Sequence, residues 1–250
     1  MLRFFGLSDV GRKRTQNEDA FLVSDEHQFA ILADGMGGRT FGEVASAMVV
    51  ENLGNHIRED MPASIERLEM SDQAVMAVNL LDEWIRDANA AVFARGVEDE
   101  SYQEMGTTVV VLLGLGRQVI LGSVGDSRIY RFSGGPLEQL TEDHSFVNSQ
   151  VKAGVLTEEE ARQSNQRNII TRALGTSEKV KADITIQTCG PGDRFLLCSD
   201  GLTDMIPDDE LSSIMERKLD LEQTATALVS AANAAGGVDN ITVVLAEVVD

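Results

Sequence analysis

The chain has 250 residues, 43% hydrophobic and 25% charged, which is enough apolar material to core one sizeable domain or two small ones. With 21 basic against 41 acidic residues, its formal charge of −20 argues against nucleic acid or an anionic membrane as partner. The same acidity means that any phosphorylated ligand needs local positive charge. Cys189 and Cys198 lie in or beside apolar runs and read as reduced core residues. No charged leader opens the chain and no apolar run reaches spanning length, so a cytoplasmic protein without membrane insertion is expected.

Short strand-like runs at Ala20–Ser24 and Phe29–Ala33 come first. Two helical patterns follow. Ala45, Met48, Val49, Leu53 and Ile57 form one stripe, and Val78, Leu81, Ile85, Ala88 and Val92 form the next, with Ser71 or Asp72 as cap. Strands are predicted at Thr108–Leu113, Gln118–Val124, Arg128–Phe132 and near Leu137, separated by turns as a meander requires. The polar segment from Asp143 to Lys181 holds short helical pieces, one opened by a Thr157/Glu160 capping box. Strands resume at Ile184–Thr188 and Arg194–Cys198. Pro207-Asp-Asp-Glu210 opens a helix with acids in its first turn. Leu221, Ala225, Leu228 and Ala232 mark a last helix, and Ile241–Val249 a last strand. Elements in blocks favour antiparallel sheets covered by helices over a doubly wound parallel sheet.

An acid recurs where these strands end. "FAILAD" stops at Asp34, "ILGSVGD" at Asp126 in a Gly-Asp hairpin turn, and "RFLLCSDG" at Asp200. "GGVDN" sets Asp239 at the entry to the final strand, and "NED" sets Glu18 and Asp19 before an early one. Strand ends that converge on one edge of stacked sheets would crowd these carboxylates, which is tolerable only with protons or cations between them. Hard divalent ions that prefer oxygen suit such a cluster, and a glycine after Asp34 lets its own carbonyl approach one. Arg14, three residues before "NED", is a candidate fork for phosphate oxygens.

"SDVGRKRTQNEDA", "LADGMGG", "GTT", "VGDSRIY", "RNIITRALG", "LLCSDGLTD" and "VDNITVV", in this order over about residues 3–247, resemble the motifs of the metal-dependent serine/threonine protein phosphatases (PPM, type 2C), in their compact bacterial form. The resemblance implies a single catalytic domain over 1–250. Its fold would be a four-layer α-β-β-α sandwich of two mainly antiparallel sheets flanked by helix pairs, with a flap at about 145–181. It implies two to three Mn²⁺ or Mg²⁺ ions. Asp34 would bridge two of them, Asp200 and Asp239 would complete the first, and the Gly35 carbonyl would serve the second. Glu18 and Asp19 would hold waters on the metals, and Asp126 with Asp200 would take a third, weaker ion. Arg14 would hold the substrate phosphate and Asn240 would orient the site.

The reaction implied by the resemblance is hydrolysis of phosphoserine and phosphothreonine in proteins by an activated water, without a phosphoenzyme. The implied partners are phosphorylated proteins, a cognate Ser/Thr kinase among them, and the implied state is a monomer. Met36 stands where many eukaryotic members carry a histidine proposed as general acid. The acid is therefore unassigned, with His144 as candidate. "CGPGDR" is one residue short of a cysteine-phosphatase loop, and neither a P-loop nor an EF-hand pattern occurs. Two rivals are a non-catalytic binding module of the same fold, which should have lost acids or Arg14, and a hydrolase of small phosphoesters.

Overall fold

The computed structural model describes residues 1–36, 41–65 and 68–249, without the side chains of 62, 63, 70 and 71. One sheet has the order β1 (Leu2–Asp9), β11 (Ile241–Val248), β10 (Arg194–Cys198), β7 (Arg128–Phe132) and β8 (Glu138–Gln139). The other has the order β2 (Asp19–Ser24), β3 (Phe29–Met36), β5 (Val109–Leu115), β6 (Gln118–Val124) and β9 (Asp183–Thr188), with β4 (Gly106–Thr107) on the end of β3. Neighbouring strands pair antiparallel throughout.

The central strands are apolar on both faces because each face meets its own core. In β3, Phe29, Ile31 and Ala33 face the helices α1 (Gly42–Ile65) and α2 (Met70–Glu98), while Ala30 and Leu32 face the opposite sheet. In β11, Val244 and Ala246 point between the sheets. Ile241, Val243 and Leu245 point to α5 (Asp200–Thr203), α6 (Asp208–Met215) and α7 (Leu221–Ala234). These two alternations make the four layers α-β-β-α. The helical stripes face inward as expected: Ala45, Val49, Leu53 and Ile57 of α1, and Leu81, Ile85, Ala88 and Val92 of α2, are all buried. Both cysteines are free and buried.

Several expectations need correction. The four central strands are not one meander: β5 and β6 pair in one sheet, β7 and β8 in the other. Gly125-Asp126 is therefore no hairpin turn but the crossing between sheets. Gly125 takes φ +107°, and a Cβ there would meet Thr108 Cβ at 2.6 Å, so only glycine fits the crossing. β3 does not stop at Asp34, because Gly35 and Met36 continue it against Thr107 and Gly106. The glycines Gly37 and Gly38 of "LADGMGG" lie outside the described residues. Helix α2 starts at Met70 after an N-cap at Glu69, so Ser71 and Asp72 fall in its first turn. Pro207 is the N-cap of α6, with Asp208, Asp209 and Glu210 in the first turn as expected. β1 escaped the sequence reading.

Between β8 and β9 the polar segment carries α3 (Phe146–Lys152) and α4 (Glu158–Arg162), the latter with both bonds of the Thr157/Glu160 capping box. Its two limbs are bridged at Ser145 and Ile170, and Leu174 bridges to Thr107. No helix among the described residues is long and apolar enough to cross a membrane.

Candidate metal centre

Register brings the first two carboxylates together. Asp19 opens β2 directly opposite Asp34 of β3. Like charges in such cross-strand positions destabilise a sheet. Ser199, between β10 and α5, and Thr242 of β11 donate hydroxyls to Asp19 Oδ2 at 2.9 and 2.6 Å, reaching across from the other sheet. The chain around Asp34 is held by Thr108, whose Oγ1 accepts the Asp34 N–H at 3.0 Å, and by Thr107, whose Oγ1 donates to the Asp34 carbonyl at 2.9 Å.

The remaining acids arrive from the strand ends. Asp126 sits on the crossing turn, and Asp200 is the first residue of α5. Asp239 precedes β11, its Oδ1 accepting the Asn240 N–H at 2.8 Å and its Oδ2 accepting from Arg14 Nη2 at 2.7 Å. Asn240 is the tie that organises this corner. Its Oδ1 accepts the Glu18 N–H at 2.9 Å, and its Nδ2 donates to the carbonyls of Val10 and Gln16 at 3.1 and 2.9 Å. The loop that carries Arg14 and Glu18 is thereby fixed to the start of β11. Glu18's carbonyl accepts the Gly35 N–H at 3.1 Å. A Cβ on Gly35 would collide with the Gly42 and Glu18 carbonyl oxygens, so this stretch of backbone must be bare.

Burial, then mutual repulsion, governs the acids. Asp34 is pushed well above the carboxylate range by burial and by the charges of Asp19, Asp200, Asp126 and Asp239. Asp200 is raised likewise, by burial and then by Asp126, Asp204, Asp239 and Asp19. Burial carries Asp19 to about 6, against the opposing pull of its two hydroxyl donors. It carries Asp126 to about 7, with Asp143's charge adding to it. Glu18 is raised by burial and by Glu43. At Arg14 burial works against the charge, but the Asp239 bond and neighbouring acids outweigh it and the guanidinium stays protonated.

Do these residues suit divalent ions? Asp19 Oδ1 and Asp126 Oδ1 are buried with no hydrogen-bond partner, and the donor set is all oxygen. Both facts fit Mg²⁺ or Mn²⁺. Among the described residues no three His, Cys, Asp or Glu side chains are gathered tightly enough to ligate one ion by themselves. The other aspartates nonetheless lie close enough for their charges to raise Asp34 and Asp200. Ions that keep several waters reconcile the two observations, since they need few direct protein ligands each. Asp126 and Asp200 also line a cavity of about 610 Å³ between the segment joining β8 to β9, at Val147, Asn148 and Arg167, and the α5–α6 junction at Met205 and Ile206.

His144, the candidate acid, is placed otherwise. It is buried, it does not line that cavity, and both ring nitrogens are engaged, with the Gly125 N–H and Asp183 Oδ2, each at 2.9 Å. His27 bonds Ser24 in a turn, and His56 pairs with Asp60 on α1. Ser199, Thr242 and Thr108 escaped the sequence reading as site residues. Their signal was present: hydroxyls, all fully buried, inside or beside apolar strands.

The family model "Protein phosphatase 2C" matches residues 10–245. The chain belongs to that family. It is 40% identical over 246 residues to protein phosphatase PhpP of Streptococcus pneumoniae, covering 96% of this chain and 94% of that one. The crystal structure of the serine/threonine phosphatase Stp1 from Staphylococcus aureus superposes with a TM-score of 0.90 at 36% identity, covering 100% of this chain and 96% of that one. The catalytic domain of the serine threonine protein phosphatase PstP, solved with two manganese ions, superposes at 0.86 with 34% identity, covering 100% and 99%. This chain is thus a type 2C protein serine/threonine phosphatase, and the use of divalent metal follows from the family.

Proposed function

We propose that residues 1–250 form one catalytic domain, monomeric, that hydrolyses phosphoserine and phosphothreonine in proteins by direct attack of water, releasing the free hydroxyl residue and inorganic phosphate and opposing a Ser/Thr kinase. The observation that carries the reading is the opposed Asp19–Asp34 pair with Asp126, Asp200 and Asp239 gathered around it, and with buried, unpartnered oxygens on Asp19 and Asp126. Asp34 would bridge two ions, with Asp200 and Asp239 completing one and the Gly35 carbonyl serving the other. Glu18 and Asp19 would reach them through water, and Asp126 with Asp200 would hold a third. When bound, such ions supply Lewis acidity and a nucleophilic water at neutral pH.

The chain's own residues do the rest. Arg14, pinned to Asp239 yet 52% exposed in its side chain, offers its free guanidinium edge to the non-bridging phosphate oxygens. An ion pair so exposed contributes little to stability, about 0–1 kcal/mol, which leaves binding as its use. Asn240 keeps Arg14's loop and Glu18 in register, and Ser199 with Thr242 aims Asp19. The flap and the α5–α6 junction bound the cavity that would take the peptide around the phosphoresidue.

The test is phosphate release from a phosphothreonine peptide by chelator-stripped protein, titrated with Mn²⁺ and with Mg²⁺, beside sugar phosphates at equal concentration. Activity lost on stripping, restored by either ion and strongest on the peptide is the expected result. Folded protein inactive with both ions would overturn the assignment, and preference for sugar phosphates would overturn the substrate class.

A further inference from the structure

We infer that His144 is a positioning residue that fixes the turn presenting Asp126 and couples the cation Asp126 holds to the base of the flap. This rests on the proposed role of Asp126 in holding an ion.

Five contacts carry the inference. The His144 backbone N–H donates to the Gly125 carbonyl at 2.9 Å, and its ring Nδ1 accepts the Gly125 N–H at 2.9 Å. Gly125 is thus gripped on both sides by one residue, at the position where the chain crosses between sheets with φ +107°. Asp126 is the next residue, and its Oδ1 is buried without a partner. With Nδ1 accepting, the neutral ring carries its proton on Nε2, which donates to Asp183 Oδ2 at 2.9 Å. Arg172 Nη1 lies equally close to Nε2 but, being a donor itself, spends its hydrogens on the Lys181 carbonyl and Asp183. Asp183 opens β9 beside Ser123 of β6, so the ring spans the end of β6. Arg172 shares this carboxylate, its Nη1 lying 3.2 Å from Oδ1.

The fourth and fifth contacts reach the flap. The His144 carbonyl accepts the Thr171 N–H at 2.7 Å, and the next residue, Ser145, bridges to Ile170. His144 therefore joins the outgoing limb of the flap, its returning limb, the start of β9 and the turn that presents Asp126. At 6% exposure, and with no free nitrogen, it cannot pass a proton to a leaving alcohol in the cavity. It can hold a peptide turn still, and a carboxylate that binds a weak ion needs its backbone held.

The two ring contacts can be separated by substitution. Asn places an amide oxygen where Nδ1 stands and keeps the acceptor for Gly125. Gln places its amide near Nε2 and keeps only the Asp183 contact. Mn²⁺ binding is followed by the electron paramagnetic resonance signal of the free ion and by calorimetry, with the Mn²⁺ needed for half-activation measured alongside. We expect His144→Ala to weaken the weakest class of Mn²⁺ by about tenfold or more while the tighter ions are retained. His144→Asn should recover most of this loss and His144→Gln little of it.

Asp126→Asn is the control. If it weakens that class and folded His144→Asn and His144→Gln bind Mn²⁺ equally, the role of His144 is overturned. A fall in kcat with unchanged Mn²⁺ binding in these variants would also overturn it and restore the acid. If Asp126→Asn itself leaves the weak ion intact, the placement of a cation at Asp126 fails, and the inference falls with it. Should His144→Ala not fold, the Asn and Gln variants carry the comparison alone.

Discussion

At the scale of single residues, the centre is a set of charges that the fold holds together against their repulsion. Asp34 feels four other aspartates and sits opposite Asp19. Replacing it with Asn removes the proposed metal ligand and one repelling charge together. Asp34→Asn should therefore abolish turnover and yet raise the melting temperature of the metal-stripped protein by roughly 2–4 °C, the shift worth about 1 kcal/mol in a chain this size. Calorimetry of stripped wild type and variant checks it, and a lower melting temperature in the variant would show that Asp34 makes a structural bond instead. Arg14 bears the complementary charge. Arg14→Ala should lower kcat/KM about a hundredfold, the usual loss for one transition-state donor, with the fold unchanged. Lys should recover only part, since it lacks the fork. Wild-type kcat/KM in Arg14→Ala would remove it from the phosphate site.

At the scale of elements, the centre depends on close approaches between backbones and on hydroxyls that cross between sheets. β3 passes so near the start of α1 that a methyl group on Gly35 would strike the Gly42 carbonyl. Gly35→Ala should destabilise the protein by about 1–3 kcal/mol in urea unfolding, the range for overpacking, and raise the Mn²⁺ requirement as β3 shifts. A variant as stable and as metal-responsive as wild type would mean that α1 yields freely. Thr242 and Ser199 sit on the sheet opposite Asp19 and are the reason β2 presents that carboxylate in one orientation. The long helices α1, α2 and α7 were legible from sequence because their stripes have one period and one buried face, whereas the one-turn α5 at Asp200 was not, being too short to show a stripe. β1 was not, because it is an edge strand whose residues are mostly half-buried and show no alternation.

At the scale of the whole molecule, the buried acids link stability to pH. Asp19 at about 6 and Asp126 at about 7 bind protons more tightly folded than unfolded. The folded state then holds more protons than the unfolded state between about pH 4 and about pH 7, so stability from these groups falls as pH rises across that window. Divalent ions bind the deprotonated forms and reverse the trend. The melting temperature with saturating Mn²⁺, minus that of stripped protein, should thus grow steadily from pH 5 to pH 7. A difference that stays flat with pH would mean that these carboxylates are not the ones the ions neutralise. Using the difference cancels the opposite contributions of Asp183 and Asp193, whose carboxyls burial raises but whose hydrogen bonds and ion pairs bring lower on balance.

The sequence by itself determined which segments become strands or helices over most of the chain, because local periodicity records which side chains are buried. It also determined that acids stand at strand ends beside glycines, and the ordered motifs named the family. Only the tertiary structure decided strand partners, since the same apolar run fits either sheet. That is why Gly125-Asp126 reads locally as a hairpin and proves to be a crossing. It alone decided that Asp19 faces Asp34, that Asn240 binds the loop of Arg14, and that His144 is spent on holding a turn. Each of these depends on groups far apart in sequence, and their meeting is set by how two sheets stack rather than by any pattern along the chain.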